Sequence, residues 1–133
     1  MTNSEYKILS VEDDPSLQDV ICMILEHEGY NIERATTGAE AREKTSAQKY
    51  DLILLDRILP DLLGHNILLE IKRGGINMHT PVIFVTSLSD EEDIAHGYEC
   101  GAADYIHKPV SFEILRHRVA LHLRVSKHLN EGL

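Results

Sequence analysis

Short aliphatic runs alternate with helix-like segments along the whole chain, and this alternation limits the possible folds more than any other feature. The strand-like runs cover residues 6–11, 31–35, 52–55, 81–85 and 103–106. The third run, LILL, is apolar at every position and is flanked by Asp51 and Asp56. Continuous apolar character in so short a strand indicates that both of its faces are covered, as at the centre of a parallel sheet.

Helical segments follow each of these runs. Asp14 suits a helix N-cap, Pro15 suits the first helical position, and Gly29 suits the helix end. Further helices are predicted over 38–48, from Gly64 to the Gly74-Gly75 pair, from about residue 90 with Gly97 and Gly101 as its limits, and over 110–129.

Five β–α pairs predict an α/β, doubly wound fold with helices on both faces of a five-stranded parallel sheet. Among the common strand orders we predict the flavodoxin-like order 2-1-3-4-5, which makes the first and third strands neighbours. We assign residues 1–5 to an N-terminal tail, 6–125 to one domain, and 126–133 to an extension of the last helix. Too few residues follow Leu129 for an output domain, and the sequence leaves open whether this chain is whole or part of a longer protein.

The composition argues against several classes of function. The chain has 133 residues, of which 43% are hydrophobic, enough for one full core. Its formal net charge of −9 disfavours direct binding to nucleic acid or to an anionic membrane. Cys22 and Cys100 lack zinc-ligand spacing, and neither a signal peptide nor an apolar span is visible. We therefore expect a cytoplasmic protein with free thiols.

Polar residues stand where four of the five strand-like runs end: Glu12 and Asp13, Asp56, Thr86, and Lys108. Carboxyl ends of parallel strands form one edge of a sheet, so these side chains should converge there. Neighbouring carboxylates need a counter-charge, and Mg²⁺ prefers oxygen ligands of this kind. We expect Asp13 and Asp56 to bind Mg²⁺ directly and Glu12 to act through water.

This set of side chains also suits a phosphoryl group. Mg²⁺ shares its ligand shell readily with phosphate oxygens, and a carboxylate such as Asp56 can act as a nucleophile and form an aspartyl-phosphate. Lys108 would balance charge, and Thr86 would donate its hydroxyl to a phosphoryl oxygen. Taken singly, the acid pair is as readily a helix cap with a solvated neighbour. Asp56 alone favours a turn residue, Thr86 alone a strand-end hydroxyl that satisfies the backbone, and Lys108 alone a solvated loop lysine. The joint pattern at four strand ends favours chemistry.

The chain resembles the receiver domains of bacterial two-component response regulators over nearly its whole length. The matching stretches are ILSVEDDP (8–15), DLILLDRILPDLLG (51–64), PVIFVTS (81–87) and GAADYIHKPV (101–110). The resemblance implies that Asp56 accepts the phosphoryl group and that Lys108 contacts it. It further implies that Glu12 and Asp13 hold Mg²⁺ together with the backbone carbonyl of Ile58.

The resemblance also implies a switch and partners. Thr86 corresponds to the switch hydroxyl, Tyr105 to the switch aromatic that turns inward, and Pro109 to a proline that often follows a cis bond. The expected output surface combines the fourth helix, fifth strand and fifth helix, where an output domain, a downstream protein or a second copy would dock. The phosphodonor would be a histidine of a sensor histidine kinase or a histidine phosphotransfer protein. The eight histidines of this chain are interpreted as surface groups. The alternative to a switch role for Tyr105 is a half-buried strand tyrosine with a solvated hydroxyl.

Some positions depart from the common pattern or leave alternatives open. Glu12 stands where Asp is more usual, and Arg57 either covers the pocket mouth or pairs with an acid. The last helix either leads into a coiled coil, which we favour, or packs on the sheet.

A phosphatase would need a second acid at position 58, but this position holds Ile58. We therefore expect no enzymatic activity beyond catalysis of the chain's own phosphorylation and dephosphorylation. A receiver-like module that only binds partners is disfavoured because the acid–Thr–Lys set is complete.

Ile58 and Leu88 are both apolar, and in this family such positions flank the route of the attacking water. We therefore predict slow spontaneous loss of the phosphoryl group. Ile58→Asn and Leu88→Glu should each accelerate that loss, measured as the decay of phosphorylated protein after removal of the donor. Unchanged or slower decay in the variants would contradict the prediction.

Overall fold

The computed structural model describes residues 3–87 and 91–131, and for 91–93, 130 and 131 it describes the backbone alone. A parallel sheet with strand order β2-β1-β3-β4-β5 lies at its centre, which confirms the predicted fold class and order. Its strands are β1 (Lys7–Val11), β2 (Asn31–Ala35), β3 (Leu52–Leu55), β4 (Val82–Thr86) and β5 (Asp104–His107). The helices are α1 (Pro15–His27), α2 (Gly38–Ala47), α3 (Gly64–Arg73), α4 (Glu91–Glu99) and α5 (Phe112–Glu131), with a short 3₁₀ helix at Asn3–Glu5.

The helices cover both faces of the sheet. On one face, alternate side chains of β1, β3 and β4 pack against α2 and α3, and on the other face the intervening side chains pack against α1 and α5. Every residue of β3 is therefore buried, as its unbroken apolar sequence predicts. No helix within residues 3–87 and 91–131 has the length and apolar character needed to cross a membrane.

The first helix begins and ends where the sequence predicts. The Asp14 carboxylate accepts hydrogen bonds from the backbone N–H groups of Ser16 (3.0 Å) and Leu17 (3.4 Å), and Pro15 is the first helical residue. Gly29 follows the helix with a φ of +97°, a conformation that favours glycine. The start of α1 therefore fixes the chain direction just after the acids Glu12 and Asp13.

Gly97 does not limit the fourth helix as predicted, because it lies inside α4. A Cβ atom at this position would overlap the ring and hydroxyl of Tyr105 on β5. Glycine is therefore required by close packing between a helix and a strand, and the backbone remains helical. Gly101, with a φ of +109°, does follow the end of this helix.

The last helix starts two residues later than predicted, at Phe112. Ser111 supplies the reason, because its hydroxyl accepts a hydrogen bond from the Ile114 N–H (3.3 Å) and its carbonyl accepts one from the Leu115 N–H (2.9 Å). The helix packs on the sheet as far as Leu123, which is 3% exposed. Beyond that point Leu129 is 63% exposed, so packing on the sheet explains the first part of the helix alone.

Asp104 connects β5 to α5. Its Oδ1 accepts a hydrogen bond from Arg118 (2.8 Å), and its Oδ2 lies 2.9 Å from Nε2 of His122. Burial acts to raise the pKa of Asp104, but the hydrogen bond to His122, the Tyr105 N–H and the charge of Arg118 outweigh it and lower this pKa below its ordinary value. The carboxylate therefore stabilises the packing of the fifth helix while it is ionised.

We predict that Asp104→Asn lowers the free energy of unfolding at pH 7 by about 1 to 2 kcal/mol, because a charge-assisted hydrogen-bond acceptor is lost. A carboxyl whose pKa is lowered by folding contributes stability above its unfolded pKa, and loses it as pH falls through the folded-state pKa. The difference between wild type and variant should therefore shrink below about pH 4. Urea denaturation at neutral and acidic pH measures this, and a difference that is constant with pH would contradict it.

Candidate functional site

Three carboxyl groups meet at the carboxyl edge of the sheet. Glu12 and Asp13 follow β1, Asp56 follows β3, and one oxygen atom from each lies within 4.8 Å of the others. The two strands are neighbours, and the Asp56 N–H donates to the Val11 carbonyl (3.0 Å). Glu12 and Asp56 are buried whereas Asp13 is exposed. The convergence predicted from strand order is therefore present.

Lys108 brings a positive charge to these acids. Its Nζ lies 3.0 Å from Oδ2 of Asp56 and 3.0 Å from Oε1 of Glu12. The contact with Asp56 has hydrogen-bond geometry, whereas Oε1 of Glu12 is buried beside the charged amine and has no hydrogen-bond partner among the described residues. Burial acts to lower the pKa of Lys108, but both acids outweigh it and raise this pKa, so the amine stays protonated.

The surroundings of Glu12 disfavour the charged form of its carboxyl group. Burial raises its pKa to about 7, against the opposing effects of the Asp14 N–H, which donates to Oε2 (3.1 Å), and of Lys108. The nearby charge of Asp56 raises this pKa further. A buried carboxylate oxygen without a hydrogen bond, next to two more acids, fits a hard divalent cation such as Mg²⁺.

The loop after β3 closes tightly over Asp56. The Ile58 N–H donates to Oδ1 of Asp56 (3.1 Å), and the Gly64 N–H donates to the Arg57 carbonyl (2.6 Å). A Cβ at Gly64 would lie 2.5 Å from the Asp56 carbonyl oxygen, so a larger residue would push the loop away. Both oxygens of the Asp56 carboxylate therefore have fixed partners, Ile58 on one side and Lys108 on the other.

Thr86 and Lys108 come from neighbouring strand ends. Thr86 is the last residue of β4, is 2% exposed and pairs with His107 of β5. Its carbonyl accepts the Lys108 N–H (2.9 Å), and the Lys108–Pro109 peptide bond that follows is cis. A backbone hydrogen bond thus joins Thr86, which carries the hydroxyl, to Lys108, which carries the amine. Leu88, two positions past Thr86, lies outside the described residues.

Tyr105 lies inward, at 6% exposure, so its interpretation as a half-buried tyrosine with a solvated hydroxyl is wrong. Its ring centroid lies 5.2 Å from that of Phe84 and 5.4 Å from that of Tyr98. Its hydroxyl lies 3.4 Å from Nε2 of His65.

The prediction that His65 lies at the surface is wrong. This residue is 9% exposed and packs edge-on against Phe84 and His96, with ring centroids 5.2 and 5.1 Å apart. Its position gave a usable signal, since it lies three residues before Leu68 on the apolar stripe of α3. A histidine therefore contacts the aromatic residue that the resemblance assigns to the switch.

Removing one charge from the acidic cluster should stabilise the metal-free protein. We predict that Asp13→Asn raises its free energy of unfolding by up to about 1 kcal/mol, because repulsion with Glu12 and Asp56 is relieved. Added salt should reduce the gain by screening. Asp19→Asn is the control, since Asp19 pairs with Arg34 and its loss removes an attraction. Denaturant unfolding in chelator measures both, and a destabilised Asp13→Asn would contradict the explanation.

Fold and site together define a class: a parallel α/β domain with acids, a hydroxyl and a lysine at the carboxyl edge of its sheet. The family described as the response regulator receiver domain matches residues 8–120. The chain therefore belongs to the response regulator receiver domain family.

Individual relatives agree with this assignment. Response regulator ArlR from Staphylococcus saprophyticus is 42% identical over 118 residues, 89% of this chain and 52% of that protein. A CheY-like response regulator receiver domain protein from Methanospirillum hungatei has a TM-score of 0.87 at 31% identity, covering 92% of this chain and 97% of that one. The receiver domain of a sensor histidine kinase from Pseudomonas aeruginosa (TM-score 0.81, 30% identity, 89% and 97% covered) was solved with a magnesium ion in its active-site cleft. The chain spans about half the length of the curated relatives it matches, and 27% of one of them.

Proposed function

We propose that this chain is a phosphorylation-controlled switch that accepts a phosphoryl group on Asp56 from a histidine of a sensor kinase or of a histidine phosphotransfer protein. The observation that carries the proposal is the position of the Lys108 amine, 3.0 Å from both Asp56 and Glu12, with Asp13 in the same cluster. A structural ion pair would need one acid, whereas this amine contacts two acids and a third acid lies in the same cluster, so negative charge is left for a cation to neutralise.

Mg²⁺ would be held by Asp13 and Asp56, by the Ile58 carbonyl, and by Glu12 through water. When bound, it supplies positive charge that offsets the phosphoryl oxygens. The cluster offers oxygen atoms alone, and the solved relative with magnesium in its cleft supports the same choice of metal.

The chain's own residues then position the transfer. A carboxylate oxygen of Asp56 forms the new bond to phosphorus while the bond from phosphorus to the donor histidine nitrogen breaks, and the nitrogen is left with the electron pair. The Ile58 N–H and the Lys108 amine orient the carboxylate, and Lys108 also neutralises charge on the transferred group. Thr86 would donate its hydroxyl to a phosphoryl oxygen. Position 58 is an isoleucine rather than an acid, which supports self-modification over turnover of an external substrate.

The output would be read on the face made by α4, β5 and α5. Thr86 and Tyr105 lie on paired strands, and Tyr105 contacts Gly97 and Tyr98 of α4. A shift of Thr86 toward a phosphoryl group would change the packing of Tyr105 and hence of this face. The face would dock an output domain, a downstream protein or a second copy of the chain. Because the chain spans about half the length of curated relatives, we propose that the domain 6–125 controls such a partner. The net charge of −9 supports the further proposal that this domain does not itself contact nucleic acid.

A small acyl-phosphate donor with Mg²⁺, followed by intact mass measurement, tests the proposal. We expect a stable gain of one phosphoryl group in the wild type, and none in Asp56→Asn or in the presence of a chelator. Lys108→Ala should slow the gain by about 100-fold, the size typical of losing one charge-stabilising donor.

Two other results would contradict the proposal in different ways. Steady phosphate release without accumulation of modified protein would indicate a phosphatase that passes through an aspartyl-phosphate. A wild type that stays unmodified would indicate a receiver-like module that only binds partners.

A further inference from the structure

Asp61 ties the loop after β3 to the start of a different helix. Its Oδ1 accepts the Gly38 N–H (2.7 Å), and its Oδ2 accepts the Ala39 N–H (3.0 Å). These are two of the first backbone donors of α2, which have no partner within the helix. The Gly38 hydrogen bond lowers the pKa of Asp61, against a smaller opposing effect of burial, so the carboxylate that makes these contacts is ionised at neutral pH.

An apolar contact reinforces this connection. A Cβ built on Gly38 would lie 2.6 Å from Cδ1 of Leu62, the residue next to Asp61. Glycine at the first position of α2 therefore leaves room for Leu62 to lie against the helix. Two hydrogen bonds from Asp61 hold the loop on α2. The side chain of Leu62 adds to them by filling the space that Gly38, which has no side chain, leaves open.

The rest of the loop links this anchor to the acidic cluster. Leu59 and Leu62 are joined by a backbone hydrogen bond (3.2 Å), and Ile58 and Leu63 form an isolated antiparallel bridge. Ile58 in turn donates its N–H to Oδ1 of Asp56 (3.1 Å). Displacement of residues 61 and 62 would therefore move Ile58, whose N–H contacts the Asp56 carboxylate directly.

We infer that Asp61 is a positioning residue for the acidic site, holding Ile58 and Asp56 in the arrangement that a divalent cation requires. Mg²⁺ demands near-octahedral geometry, so a small shift of a ligand lowers affinity. This inference rests on the proposed function, because Mg²⁺ and the phosphoryl group are the ligands proposed there. Asp61 is not needed to begin α2, since Thr37 already caps that helix by accepting the Glu40 N–H (3.1 Å).

Calorimetric titration of the unphosphorylated protein with Mg²⁺ tests the inference without relying on activity. We expect Asp61→Ala to raise the Kd for Mg²⁺ by about tenfold, the lower end of the range for residues that orient metal ligands. Asp61→Asn keeps one oxygen acceptor and should restore part of the affinity.

Asp51→Ala is the matched control, because Oδ2 of Asp51 accepts the Lys7 N–H (2.8 Å) at the opposite end of β3. This variant should lose stability, measured by urea denaturation, but keep the wild-type Kd for Mg²⁺. If Asp61→Ala also keeps the wild-type Kd, Asp61 has a structural role alone and the inference is overturned while the proposed function stands. If the wild type binds Mg²⁺ and Asp61→Ala binds it tenfold more weakly, but no phosphoryl group is taken up, the inference is supported and the proposed function fails.

Discussion

Burial of carboxyl groups at the carboxyl edge of the sheet is the constraint on which this structure depends. Glu12 and Asp56 are buried beside each other, and in an apolar setting such a pair is unfavourable unless positive charge is close. Lys108, the residue just after β5, provides that charge across the width of β4 and contacts both acids. The compensation is incomplete, since Oε1 of Glu12 accepts no hydrogen bond from residues 3–87 or 91–131, and burial keeps the pKa of Glu12 near 7. A site that is short of positive charge in this way favours binding of a cation.

The same residues connect the site to the rest of the domain. Lys108 is bonded through its backbone to the carbonyl of Thr86, and Thr86 ends the strand that carries Phe84. Phe84 packs against both His65 and Tyr105, so aromatic side chains of α3, β4 and β5 contact one another two residues before Thr86 on β4. Charge at the sheet edge and aromatic packing below it are therefore parts of one continuous set of contacts.

The sequence predicts the parts of this arrangement that follow from local pattern and from the rules of parallel sheets. The N-cap at Asp14 follows from residue type and position along the chain, and the strand order is one of the common orders for such sheets. With that order, the convergence of Asp56 with Lys108 follows as well. What it could not predict depends on contacts between distant segments. Gly97 is a glycine because a tyrosine of β5 occupies the space of its side chain, and the inferred role of Asp61 depends on its hydrogen bond to a helix that begins 23 residues earlier. His65 was predicted to lie at the surface because histidine is a polar residue type, although its position on the apolar stripe of α3 indicates burial.

The central claim is that Asp56, Asp13 and Lys108 surround one place that accepts a cation and a phosphoryl group together. A crystal structure grown with Mg²⁺ and beryllium trifluoride, which mimics a phosphoryl group on a carboxylate, tests it most directly. We predict one Mg²⁺ about 2.1 Å from oxygens of Asp13 and Asp56, with the fluoride group on Asp56 and the Lys108 amine in contact with it. An ion bound away from these acids, or a beryllium fluoride group on another residue, would contradict the claim.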